Sequence, residues 1–94
     1  MRYRVEFDTA AERDLKELPR EVRREIYDIH LPKIQADPNA TGEQLHGDLA
    51  GFRSYHFGHR PEYRMLYKIT DDLVVIWIVD TRESVYKKAK RRLS

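Results

Sequence analysis

Short segments in which hydrophobic and polar residues interchange predict three β-strands. Tyr3-Arg4-Val5-Glu6-Phe7 alternates throughout, and the segments 52–57 and 62–69 are also predicted strands. Successive side chains of a strand point to opposite faces of a sheet, so alternation indicates one buried and one open face. The segment 73–79 is instead apolar at every position, which is typical of the central strand of a sheet, covered on both faces.

Helical patterns fill the region between the first two strands. Thr9-Ala10-Ala11-Glu12 has the form of a capping box and opens a helix that ends at Leu18. Pro19 suits the first turn of a second helix, and Pro32 should kink that helix or end it early. The apolar stripe predicted for the second helix is Val22, Ile26, Ile29 and Ile34. The two helices form a hairpin that must bury its stripes against the sheet.

A third helix follows the last strand. It is predicted to begin near Tyr86 with Ser84 as its cap, after the loop 80–83. The element order is therefore β-α-α-β-β-β-α. We predict an α+β fold in one domain, residues 1–94, with the helical hairpin packed on a four-stranded, mainly antiparallel sheet and a C-terminal basic helix.

Composition limits the classes of protein that remain. Charged residues make up 36% of the chain, and the absence of cysteine excludes disulfides and thiolate metal sites. No N-terminal segment resembles a signal peptide, and the run 73–79 is too short to cross a bilayer. We expect a soluble, cytoplasmic protein with no membrane partner. The scattered histidines and carboxylates indicate no metal site, and no cofactor is expected.

Positive charge is concentrated near the C-terminus, although the formal net charge is only +2. Every charged residue after Ser84 is basic: Lys87, Lys88, Lys90, Arg91 and Arg92. Such a patch attracts phosphate backbones or acidic proteins. The alternative is a solvated helix face whose cations stabilise the negative end of the helix dipole.

Three motifs follow one another along the chain. Leu45-His46-Gly47-Asp48-Leu49-Ala50-Gly51-Phe52-Arg53 has the form L-x-G-x-L-x-G-x-[RK], and Glu62-Tyr63-Arg64-Met65-Leu66-Tyr67-Lys68-Ile69 has the form x-Y-R-[VLM]-[LI]-Y-x-[IV]. Arg82-Glu83 is followed by Tyr86. Over essentially the whole chain this sequence resembles the RelE/ParE toxin superfamily of bacterial toxin–antitoxin systems. Its RelE-like branch contains ribosome-dependent mRNA endoribonucleases.

The resemblance implies a toxin that cleaves mRNA in the ribosomal A site without a metal. It also implies a cognate antitoxin as partner, with operator DNA bound only as a complex with that antitoxin. In metal-free RNA cleavage the 2′-hydroxyl attacks the neighbouring phosphate, leaving a cyclic phosphate and a free 5′-hydroxyl. Cations near the phosphate oxygens, a base and an acid lower the barrier.

Arg64 is the main candidate for charge stabilisation. Strand alternation places it on the face opposite Tyr63 and Tyr67. A mid-sheet arginine needs a partner or a ligand, and its planar fork suits phosphate. The resemblance places this arginine in the active site. The alternative is a salt bridge with Glu62 or Asp80.

Arg82 and Tyr86 are the other catalytic candidates near the C-terminus. The resemblance makes Arg82 a second phosphate contact, and it makes Tyr86 a residue that stacks on a base or hydrogen-bonds the scissile region. The alternatives are an ion pair between Arg82 and Glu83, and packing of Tyr86 between the last helix and the sheet.

Arg53 and His56 complete the predicted catalytic set, in a strand where RelE-like enzymes typically carry lysines. This strand has no lysine, so Arg53 is the candidate cation and His56, or His59, the candidate for proton transfer. Alternation puts Arg53 and His56 on opposite faces, so both can act together only if a bulge intervenes. The alternative for either histidine is an ordinary surface or packing role. The predicted RNA-binding residues are Lys68, Lys87, Lys88, Lys90 and Arg91.

Two other functions remain open on the same fold. One is a ParE-like toxin that binds and poisons DNA gyrase without cutting RNA. That branch generally lacks the arginine–arginine–tyrosine set, which favours the nuclease. The other is an attenuated member that serves chiefly as the binding partner of its antitoxin, and the missing lysines keep this alternative open.

Overall fold

A computed structural model describes residues 3–93 of the chain. Its elements, in chain order, are β1 (Arg4–Phe7), α1 (Thr9–Lys16), α2 (Arg20–Glu25), a π-helical segment (Ile26–His30), α3 (Leu31–Ala36), β2 (Glu43–Gln44), a 3₁₀ turn (Gly47–Leu49), β3 (Phe52–Phe57), β4 (Tyr63–Thr70), β5 (Leu73–Thr81) and α4 (Arg82–Arg92). The predicted α+β order is confirmed, with short elements added in the loop between α3 and β3.

The strands form one mixed sheet in the order β1-β5-β4-β3-β2. Strand β1 pairs parallel with β5, and the other pairs are antiparallel. The sheet therefore has five strands rather than the predicted four, because two residues of the loop, Glu43 and Gln44, pair with the edge of β3. Strand β5 lies between β1 and β4, so it is internal, as its continuous apolar sequence indicates, but the central strand of the five is β4.

Helices cover both faces of the sheet. The hairpin of α1 to α3 covers one face, where Ala11, Ile26 and Ile34 are fully buried with Met65 and Tyr67. Helix α4 covers the other face through Val85 and Ala89, which pack on Leu66 and Ile78. Met65 and Leu66 point to opposite faces of the sheet, so Met65 belongs to the hairpin core and Leu66 to the core under α4. The same alternation places Arg64 on the α4 face.

The first helix of the hairpin and the last helix both start at residues other than those predicted. Asp8, not Thr9, caps α1, because its Oδ2 accepts a hydrogen bond of 3.1 Å from the Ala10 amide. Helix α4 begins at Arg82, directly after β5, and Ser84 lies inside it. The predicted start near Tyr86 is therefore about one turn too late, and Arg82 belongs to the helix rather than to a loop.

The second helix of the hairpin does not end at Pro32. Five residues, Ile26–His30, form a π-helical turn, and the Leu31 amide donates to the Ile26 carbonyl. Proline has no N–H to donate, and the wider turn accommodates its ring. The turn also rotates the apolar stripe, so that Ile29 is 46% exposed while His30 is buried. The predicted inclusion of Ile29 in the core stripe is wrong for this reason.

Candidate active site

Arg64 lies at the centre of a polar cluster on the α4 face of the sheet. Its side chain is only 19% exposed. Its Nε donates to Glu62 Oε2 at 2.8 Å, and its Nη1 donates to the Tyr86 hydroxyl at 2.9 Å. The guanidinium carbon also lies 5.8 Å from the centre of the Tyr86 ring. One side of the guanidinium is thus fixed by a carboxylate and another by a phenol.

The direct passage from β5 into α4 brings Tyr86 to Arg64. Arg64 stands opposite Asp80 in the backbone register of β4 and β5. Helix α4 begins two residues later, so Tyr86 stands one turn along the helix and above the same strand end. The Arg82 amide donates to the Glu62 carbonyl at 2.9 Å, which fixes the start of the helix against the beginning of β4.

Asp80 does not pair with Arg64, although the two residues are opposite each other in the sheet. Its Oδ2 accepts from Lys88 Nζ at 2.8 Å, and its Oδ1 accepts from the Thr81 amide at 2.7 Å. Of the two alternatives predicted for Arg64, the salt bridge with Glu62 is the one that forms. It engages Nε alone, and none of the described residues accepts a hydrogen bond from Nη2.

His56 and Arg82 complete the cluster. His56 is the partner of Arg64 in the register of β3 and β4, and its side chain is exposed. The Arg82 side chain is also exposed and makes no ion pair with Glu83. His56 and Arg82 both act electrostatically on Glu62. The cluster therefore contains two arginines, a histidine and a tyrosine around one carboxylate.

These contacts fix the charge states of the central pair. The hydrogen bond from Arg64 holds the pKa of the Glu62 carboxyl below its usual value, and His56 and Arg82 act in the same direction. Burial alone would lower the pKa of Arg64, but the hydrogen bonds with Glu62 and Tyr86 outweigh it and raise that pKa. At neutral pH Glu62 is therefore an anion and Arg64 a cation.

Arg53 lies on the opposite face of the sheet, as alternation predicts. Its Nε donates to the Thr41 carbonyl at 3.1 Å and its Nη2 to the Gly42 carbonyl at 2.9 Å. A Cβ at Gly42 would lie 2.9 Å from the Ser54 carbonyl oxygen, and Gly42 has φ +75°, so this close approach requires glycine. No register shift separates β3 from β4. Arg53 therefore stabilises a loop and does not reach the Arg64 cluster.

The predicted RNA-binding residues fall into two groups. Lys68 lies on the Arg64 face with its Nζ 5.4 Å from the centre of the Phe52 ring, and it is exposed. Lys87, Lys90 and Arg91 are exposed along α4. Lys88 differs, because its Nζ forms ion pairs of 2.9 Å with Asp14 and 2.8 Å with Asp80. Its ammonium is engaged inside the molecule.

Asp14 anchors α4 to the rest of the fold. Its carboxylate, only 3% exposed, accepts from Lys88 at 2.9 Å, from both Nη atoms of Arg92 at 2.8 Å, and from the Val79 amide at 3.2 Å. Burial raises the pKa of Asp14, but these hydrogen bonds outweigh it and lower that pKa. One buried anion thus joins α1, β5 and the helix that carries Tyr86.

A groove of about 290 Å³ opens beside Tyr86. It lies between the 3₁₀ turn and α4, and is lined by Asp48, Leu49, Tyr86, Ala89, Lys90 and Leu93. The walls are mostly apolar, with one acidic and one basic residue among them. Among residues 3–93, no three histidine or carboxylate side chains are grouped so that they could hold a metal ion.

Glu62 and Asp14 are the functional neighbours that sequence reasoning did not single out. Glu62 stands two residues before Arg64, a spacing that puts both side chains on one face of an extended chain. This spacing predicted a salt bridge between Glu62 and Arg64 only as an alternative to a catalytic role for Arg64, and did not predict Glu62 as part of the active site. Asp14 gave no local signal, because its partners lie 65 to 78 residues away.

Comparison with known proteins identifies the family. Residues 5–90 match the family described as the ParE-like toxin of type II bacterial toxin-antitoxin systems. The chain belongs to this family. It is 36% identical over 90 residues to Toxin RelG of Mycobacterium tuberculosis, covering 94% of this chain and all of RelG. The predicted membership in the RelE/ParE superfamily is confirmed, and the protein is the toxin of a type II toxin–antitoxin system.

Solved structures of related toxins have the same fold. The toxin–antitoxin complex RelBE2 of M. tuberculosis contains a chain that matches this toxin with a TM-score of 0.78 at 36% identity, covering 87% of this chain and 100% of that one. A mutant of Escherichia coli toxin RelE in the free state matches with a TM-score of 0.79 at 23% identity, and both chains are covered completely. Across the described residues, no helix has the length and apolar content to cross a membrane.

Proposed function

We propose that this toxin is a ribosome-dependent mRNA endoribonuclease whose active site consists of Arg64, Arg82, Tyr86 and His56. One observation carries the proposal. A guanidinium is fixed between Glu62 and Tyr86, and an exposed arginine and an exposed histidine lie at the same end of the sheet. Similarity to Toxin RelG at 36% identity supports it.

The cluster suits cleavage by the internal 2′-hydroxyl. That oxygen forms a bond to phosphorus, the bond from phosphorus to the 5′-oxygen breaks, and the products are a 2′,3′-cyclic phosphate and a 5′-hydroxyl. Arg64 and Arg82 stabilise the negative charge that develops on the non-bridging oxygens. His56 exchanges protons with the reacting oxygens, since an imidazole ring has both a donor and an acceptor nitrogen. Tyr86 holds Arg64 and stacks on a base.

Binding to RNA comes from the exposed cations around the cluster. Lys68 lies on the same sheet face as Arg64, and Lys87, Lys90 and Arg91 extend the positive surface along α4. These charges give a salt-dependent, sequence-independent affinity for phosphate backbones of mRNA and ribosomal RNA. Lys88 is left out of this surface because its ammonium already contacts two carboxylates.

The partners follow from the family. Solved relatives include toxin–antitoxin complexes from M. tuberculosis and E. coli. We therefore propose a cognate antitoxin that covers the cationic cluster with an acidic segment folding on binding. Operator DNA is bound only by the complex of the two proteins. The site of action is the cytoplasm, where translating ribosomes are found.

Inhibition of DNA gyrase is the second candidate, and the match to the family described as ParE-like favours it. The absence of lysine from β3 keeps a third candidate open, an attenuated toxin that acts mainly as antitoxin partner. The contact between Arg64 and Tyr86 favours the nuclease, because neither other role needs a phosphate-binding fork on this face.

Induction in bacteria without antitoxin, followed by mapping of mRNA 5′ ends, tests the proposal. We expect new 5′ ends inside translated reading frames for the wild-type toxin and none for Arg64→Ala. Gyrase-linked DNA breaks with intact mRNA would establish the gyrase toxin instead. Normal growth at full expression of folded protein would establish the attenuated member.

A further inference from the structure

Glu62 connects the two arginines of the candidate active site. Its Oε2 accepts from Arg64 Nε at 2.8 Å, and its main-chain carbonyl accepts from the Arg82 amide at 2.9 Å. Arg64 comes from β4 and Arg82 from the start of α4, so this residue joins two elements. Its side chain is 29% exposed, which leaves it in contact with solvent on one side.

The Glu62 carboxylate restricts which part of Arg64 a phosphate can meet. A guanidinium presents five N–H groups in a planar fork. Glu62 occupies the one on Nε and Tyr86 occupies one on Nη1, which leaves the Nη2 amine without a partner among the described residues. A phosphate therefore contacts Arg64 through Nη2, and the plane of the guanidinium is held in one orientation.

A carboxylate beside a phosphate-binding site repels the phosphate and weakens the binding of RNA. If Glu62 contributes to cleavage, it therefore does so in a way other than by attracting the substrate. The site already holds Arg64, Arg82 and His56 to attract the substrate, and Glu62 lies within their field. An ionised carboxylate cannot donate a proton to the leaving 5′-oxygen. Its contact with Arg64 instead limits rotation about the terminal bonds of a long, flexible side chain.

We infer that Glu62 is a positioning residue that fixes the guanidinium of Arg64 for transition-state stabilisation, at the expense of some affinity for RNA. This inference rests on the proposed function. It predicts a split between the two kinetic constants. Without the negative charge, RNA should bind as well or better, whereas the chemical step should slow because the fork is no longer held in place.

The variants are Glu62→Gln, which removes the charge and keeps an acceptor, and Glu62→Ala, which removes both. Glu83→Gln is the matched control, because it makes the same change at an exposed carboxylate near the start of α4. Cleavage of a defined mRNA in a reconstituted translation reaction is followed by primer extension. We expect kcat to fall about 10-fold in Glu62→Gln and about 100-fold in Glu62→Ala, with KM unchanged or lower.

The pH profile separates positioning from proton transfer. Glu62 is an anion from about pH 6 to about pH 9, because its pKa lies below the usual carboxyl value of about 4. A positioning role therefore lowers kcat by the same factor at every pH in this range and keeps the shape of the curve. Loss of one limb of the profile in Glu62→Gln would show that Glu62 itself titrates in this range and transfers a proton, and would overturn the inference. So would a KM that rises while kcat stays constant.

A measurement on the isolated toxin does not depend on activity. The Nε–H of Arg64, assigned in nitrogen-15 spectra by its loss in Arg64→Lys, should exchange slowly with water in the wild type and in Glu83→Gln. It should exchange rapidly in Glu62→Ala. If the wild type does not cleave mRNA but the exchange pattern holds, the proposed function fails while the geometry stands. If the wild type cleaves and the Glu62 variants match the control, the inference itself is wrong.

Discussion

Replacing Asp14 with asparagine should destabilise the fold and loosen the helix that carries Tyr86. The change removes the anion shared by Lys88 and Arg92 and turns an amide group toward two cations. Breaking a buried ion pair costs about 3–5 kcal/mol. Lys88 and Arg92 are 20% and 24% exposed, so water can hydrate them in the variant. We therefore expect about 3 kcal/mol, the lower end of that range.

Urea denaturation measures this loss. With a slope of about 1–1.5 kcal/mol per molar for a small domain, the midpoint should fall by about 2–3 M. Asp28→Asn is the matched control, because it makes the same atomic change at an exposed position of the hairpin, where surface substitutions stay within about 0.5 kcal/mol. A midpoint for Asp14→Asn equal to that of the control would refute the anchoring role.

The difference between wild type and Asp14→Asn should depend on pH. The pKa of Asp14 is lower in the folded protein than in the unfolded chain, because the hydrogen bonds from Arg92, Lys88 and Val79 outweigh burial. Its stabilisation is therefore complete above the ordinary carboxyl pKa, about 4, and is lost as the pH falls through the lower folded value. The gap in unfolding free energy should be full at pH 7 and shrink in strong acid. A gap that stayed constant with pH would contradict the assignment.

Three further predictions concern the site. Arg64→Ala should lower the cleavage rate by about 100-fold or more while the protein stays folded, as for the loss of one oxyanion donor. The rate of Arg64→Lys should lie between those of the wild type and Arg64→Ala. A folded Arg64→Ala toxin that cleaves at the wild-type rate would contradict the assignment of Arg64 to the active site. Tyr86→Phe removes the hydroxyl that accepts a hydrogen bond from Arg64 and should slow cleavage by about 10-fold. Tyr86→Ala also removes the ring and should slow cleavage more. Equal rates for the wild type and Tyr86→Phe in single-turnover assays would leave stacking as the only role of Tyr86. Joint replacement of Lys87 and Arg91 by glutamine should weaken ribosome binding and flatten its dependence on salt in pelleting assays, with an unchanged slope as the contrary result.

Local sequence determined the strands and the orientation of their side chains. A period of two is a property of the extended backbone itself, so Arg64, Met65 and Leu66 could be assigned to faces without knowledge of their neighbours. The same rule separated Arg53 from His56. The continuous apolar run 73–79 determined that β5 is internal, because only a strand covered on both faces benefits from such a sequence.

Tertiary contacts decided what those side chains do. The sequence offered Arg64 two carboxylates, and Lys88 settled the choice by pairing with Asp80, which leaves Glu62 as the partner of Arg64. The role of Lys88 itself depends on Asp14, 74 residues earlier in the chain. No window of sequence contains such a pair, since the partners meet only after the sheet and α1 have packed together.

Local sequence also failed to predict where the helices begin and which of their residues face the core. Ser84 satisfies the local preference for a helix cap, but β5 ends at Thr81 and α4 continues directly from it. Ile29 fits an apolar stripe of period 3.6, yet one π-helical turn directs His30 inward to Tyr55 and Glu25 instead. Helix propensity and hydrophobic periodicity depend on a few residues that are neighbours in sequence. Helix caps, π-helical turns and ion pairs depend instead on the surfaces against which the helix packs.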